Sequence, residues 1–67
     1  MNRGSVEFRQ GFTHAAQFFE GTLIDPVGAW QIINNIETVA PQMPPQYGAG
    51  MLEVARRVRE GLKHEQQ

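Results

Sequence analysis

The chain has 67 residues, six basic and seven acidic side chains, a net charge of −1 and no cysteine. This length excludes a multidomain enzyme, the near-neutral balance argues against a general nucleic-acid coat and an anionic-membrane binder, and the missing thiols exclude disulfides and cysteine-ligated zinc. A chain of about 60 residues buries only about 60% of its unfolded surface, so a partner chain is the remaining way to stabilise it.

Plentiful Phe, Ile and Val argue against disorder. No apolar run approaches the roughly 18 residues of a membrane span, and the start of the chain lacks the apolar stretch of a signal peptide. The sequence therefore reads as a complete cytosolic product, a single small helical domain over 1–67 with frayed ends at 1–4 and 65–67.

A first helix is expected from Ser5 to about Glu20. Ser5 is placed as its N-cap, and Glu7 faces the positive end of its dipole. Phe8, Gly11, Phe12, Ala15, Ala16, Phe18 and Phe19 share one arc, opposite Arg9, Gln10, Thr13, His14 and Gln17. Gly21 suits the position just past the helix end. Asp25 and Pro26 then form a cap followed by a pre-organised first helical residue, with Ile24 placed to staple onto Ala29 or Trp30.

The second helix is expected over 26–39, with Ala29, Ile32, Ile33, Ile36 and Val39 inward and Gln31, Asn34, Asn35 and Thr38 outward. Trp30 stands at the edge of that stripe and Val27 outside it. Prolines at 41, 44 and 45 make Ala40–Pro45 a stiff, extended connector. The third helix is expected over 45–64, because Tyr47, Met51, Val54, Val58 and Leu62 make one stripe that a start at Gly50 would shorten. Gly48 and Gly50 each cost that helix about 1 kcal/mol relative to Ala. Glu53–Arg57 and Arg56–Glu60 have the spacing of helix ion pairs.

Together these elements make an all-α fold, a small three-helix array completed by self-association. No segment alternates as a strand would.

The sequence holds no set of residues for catalysis. Its carboxylates form no Glu-x-x-His pattern, Ser5 is the lone serine, and His14 and His64 are too few for a metal site. Gly48-Ala49-Gly50 matches a fragment of a phosphate loop but lacks the Lys-Ser/Thr that follows. We therefore expect no enzyme, cofactor or metal. Glu37, at the border of the second stripe, reads as a rim charge, with an arginine partner as the alternative. Arg56, Arg59 and Lys63 give the third helix a basic side, diluted by Glu53 and Glu60.

What remains is apolar surplus. Phe8, Phe12 and Phe19 are the residues expected to support self-association, and the small Gly11, Ala15 and Ala16 on their arc would admit a close neighbouring helix. Trp30, Met43 and Tyr47 beside the proline connector, with Arg56 and Arg59, are expected to contact a protein partner, because rigid aromatic anchors bind at low entropic cost. Val6, Val27 and Leu52 fall off the stripes and face outward.

The functional expectation is a small cytoplasmic protein-binding module: an adaptor, assembly factor or inhibitor of the kind phages and other mobile elements encode. A nucleic-acid regulator using the arginines of the third helix is one alternative. A structural subunit of a larger assembly is the other.

Overall fold

The computed structural model describes residues 3–20 and 26–65 as three helices and a short turn. Helix α1 is Arg3–Glu20, α2 is Pro26–Val39, and α3 is Pro45–Glu65; a 3₁₀ turn, Ala40–Gln42, joins α2 to α3. No strand occurs among the described residues. The proposed cap at Asp25, the staple from Ile24 and the stop at Gly21 lie outside them.

Helix α3 is the spine of the array. Both α1 and α2 pack on it far more extensively than on each other. The core follows the helical period: Ala15 and Phe19 from α1, Ala29, Ile33 and Ile36 from α2, Ala40 from the turn, and Met51, Val54, Ala55 and Leu62 from α3. No described residue that is buried is polar or charged, so hydrophobic burial alone holds this interior together.

The α1–α3 contact is backbone on backbone. A Cβ added to Gly11 would fall 2.8 Å from the Tyr47 carbonyl carbon, and one added to Gly50 would fall 2.8 Å from the Phe12 nitrogen. Both are closer than side chains tolerate, so only glycine lets these helices touch here. Gly48 does the same between α3 and the turn, where a Cβ would crowd the Ala40 carbonyl. The expectation that Gly11 and Ala15 admit a neighbouring helix is met within the chain. Gly48 and Gly50, read from the sequence only as a cost to helix stability, are part of the packing itself, as is the supposed phosphate-loop fragment.

Three local expectations need correction. Helix α1 already includes Arg3, so Ser5 is an internal helical residue and not the cap. Gly4 and Ser5 line the same hollow as Gln46 of α3, and this neighbouring helix supports a first turn that weak helix formers alone would not favour. The connector is extended at Met43, with φ −94° and ψ 165°. Ala40–Gln42 coils instead, because Pro41 sits in the first turn, where its missing N–H is no loss. The Met43 N–H donates to the Ala40 carbonyl at 3.1 Å, and Gln42 Nε2 donates to the Thr38 carbonyl at 3.3 Å, satisfying backbone acceptors at the end of α2. Finally, Phe18 and Val39, both assigned to inward stripes, are 53% and 42% exposed. The outward placement of Val6, Val27 and Leu52 holds.

Candidate interaction surface

The arginines of α3 are occupied within the chain. Glu53 accepts from Arg56 Nη2 at 2.6 Å and from Arg57 Nε at 3.0 Å. Arg56 thus turns back toward Glu53 and not forward to Glu60, which matches the better helix geometry of an acid placed N-terminal to its base. The Arg56 hydrogen bond, followed by that of Arg57, holds the Glu53 carboxyl down at about 2 from the ordinary 4.5. Arg57 also lies over the Phe12 ring, 5.2 Å from its centroid, closing one side of the α1–α3 contact.

Arg59 reaches across to α2 and pairs with Glu37. Glu37 has an arginine partner and still reaches solvent, so each of its two readings holds in part. Both side chains remain about one-third exposed, so the pair fixes geometry more than it adds stability.

The other expected contact residues are also engaged. Trp30, Met43 and Tyr47 are half-buried and pack on the core. The Tyr47 hydroxyl hydrogen-bonds His14 Nδ1, with the two rings 5.6 Å apart. His14, on the polar side of α1 and still exposed, therefore tethers α1 to α3. Phe19 is 8% exposed in the core and Phe12 packs beside it, while Phe8 lies in a hollow of about 610 Å³ with Gly4, Ser5, Arg9, Phe12 and Gln46.

A different surface is left open. Between α1 and α2 runs a groove of about 300 Å³, lined by Phe18, Ile32, Asn35, Ile36, Val39 and Met51. Asn35 is the one polar residue of that lining. The groove exists because α1 and α2 both lean on α3 and barely meet each other, which leaves Phe18 and Val39 without a full apolar neighbourhood.

None of the lining residues is charged. Residues 10–19 carry no Asp, Glu, Lys or Arg, and residues 26–52 carry only Glu37, which Arg59 neutralises. Seven of the thirteen charged residues fall between 53 and 65. Depletion of charge around exposed aromatic and aliphatic side chains is the compositional mark of an interface centre. Sequence reasoning missed this site because it treated Phe18 and Val39 as core. The signal it could have used is the uncharged stretch itself, which is visible without coordinates.

Among the described residues, no group of three His, Asp or Glu could hold a metal, and no helix is long and apolar enough to cross a membrane. Compared with protein-family models, curated proteins and solved structures, the chain matches none.

Proposed function

We propose that this chain is a small, non-enzymatic protein-binding module that acts through its α1–α2 face. One observation carries the reading: an apolar groove rimmed by exposed Phe18 and Val39 lies within a stretch almost free of charge. The arginines that favoured nucleic acid pair with Glu53 and Glu37, so they support that alternative less than their number suggests. An adaptor, assembly factor or inhibitor fits a surface that recognises by shape and burial.

The binding residues are therefore reassigned. Phe18, Ile32 and Val39 make the contact over a floor that includes Met51, while Trp30, Met43, Tyr47 and Arg59 support the fold behind it. A photo-crosslinking amino acid at position 18, compared with one at exposed Leu52, tests this in cells that make the protein. A discrete adduct at 18 that is absent at 52 is the expected result, whether the captured chain is foreign or another copy. Equal, diffuse labelling at both positions would refute it.

A further inference from the structure

The hollow between the first turns of α1 and α3 shares no residue with the α1–α2 groove and differs from it in chemistry. From its lining we propose that it binds a small aromatic monocarboxylate, independently of the protein contact on the other face.

The spacing of α1 builds one wall. Ser5, Phe8, Arg9 and Phe12 stand at i, i+3, i+4 and i+7, the positions that share one helix face. Gln46 of α3 closes the other side. It stands one turn before Gly50, whose missing side chain lets α3 approach the Phe8 carbonyl. Gly4 and Ser5 are too small to fill the space beyond that contact, and about 610 Å³ stays open. Sites for small organic ligands run from roughly 300 to 1,000 Å³.

Charge narrows the ligand. Arg56 and Arg57 share Glu53 and Arg59 holds Glu37, but Arg9 meets no carboxylate among the described residues. Glu7, two positions before it, does not share its face of the helix. The Ser5 hydroxyl and the Gln46 amide also line the hollow, and neither has a side-chain hydrogen bond among the described residues. One unpaired guanidinium beside two unpaired donors fits a group with a single negative charge and two oxygens, which a guanidinium binds in parallel. A dianionic phosphate would keep a charge that nothing in the lining offsets.

The rings narrow it further. Phe8 and Phe12 are half-buried and both line the hollow, ready for offset or edge-on contact with another ring. Arg9 is exposed, so water screens its pairing and ring contact must supply much of the affinity. A flat aromatic body bearing one carboxylate uses both halves of the lining.

Naphthylacetate is the probe, titrated into the isotope-labelled chain and followed by the shifts of its backbone amides. Saturable shifts centred on Phe8, Arg9 and Gln46 are the expected result. Naphthylacetamide keeps the rings and loses the charge, and it should bind at least about tenfold more weakly. Arg9→Gln should weaken naphthylacetate by the same factor, while Lys63→Gln, which removes an exposed cation elsewhere on α3, should not. Both variants should keep wild-type helicity by circular dichroism, because both side chains are exposed. Inorganic phosphate should give no saturable shift at the hollow. Absence of saturable shifts with naphthylacetate overturns the proposal, as do shifts centred on Phe18 and Val39 instead. Equal binding of the acid and the amide by the wild type overturns it without any variant, and saturable binding of phosphate overturns the aromatic assignment. None of these results touches the α1–α2 contact, which the crosslinker at position 18 reads separately.

Discussion

The α1–α3 contact and the α1–α2 groove are built from the same helix to opposite ends. On one side of α1, Gly11 and Gly50 strip away side chains until backbone meets backbone. On the other side, Phe18 stands 53% exposed beside a hollow that no described residue fills. A 67-residue chain has little apolar surface to spare. The glycine contact therefore shows where the fold is held, and the open groove is the face proposed to bind.

The sharpest test of this contrast uses two adjacent residues. Phe19→Ala should destabilise the fold by about 3–5 kcal/mol, because it leaves a cavity in the core. Phe18→Ala should change stability by no more than about 0.5 kcal/mol at concentrations where the chain is monomeric. Thermal denaturation followed by circular dichroism reads both, and similar losses at 18 and 19 would erase the distinction.

Glycines give the next test, with opposite signs on one helix. Gly50→Ala drives a methyl group into the backbone of α1 and should lose about 1–3 kcal/mol, of which the better helix propensity of Ala offsets at most about 1 kcal/mol. A methyl group added at Gly61 would meet nothing within 4 Å, so Gly61→Ala should gain about 0.5–1 kcal/mol. In a domain this small each kcal/mol moves the melting midpoint by about 4–8 °C.

Electrostatic effects are smaller. Glu37→Gln removes a cross-helix pair that is about one-third exposed and should cost no more than about 1 kcal/mol in the same melts. Glu53 has its folded pKa depressed from 4.5 to about 2 by Arg56 and Arg57. Its contribution is fully present above 4.5 and is lost as pH falls from there through 2. An acid titration of stability should show a loss in that window, and Glu53→Gln should remove that part of it.

Much of the fold was legible in the sequence. The start of α2 at Pro26, its end at Val39 and the start of α3 at Pro45 follow from proline chemistry and apolar period. The close approach at Gly11 was legible as well, since a small residue on an apolar arc has few other uses. The site was not. Periodicity assigns Phe18 and Phe19 to one inward arc, but it cannot say that α1 leans toward α3 and leaves Phe18 outside. Arg59 presented the reverse case: its charge suggested a foreign partner, and only the geometry shows Glu37 within its reach. Both misreadings come from facts between helices, which a one-dimensional pattern does not contain.

The central claim, that the glycine contact holds the fold while the groove binds, is tested most directly in one chain. Phe18→Glu carrying the photo-crosslinking amino acid at position 39 would be assayed for helicity and for adduct formation in the same preparation. The account predicts wild-type helicity together with loss of the adduct that the crosslinker at 39 gives when Phe18 is intact. Wild-type helicity with an undiminished adduct would contradict it.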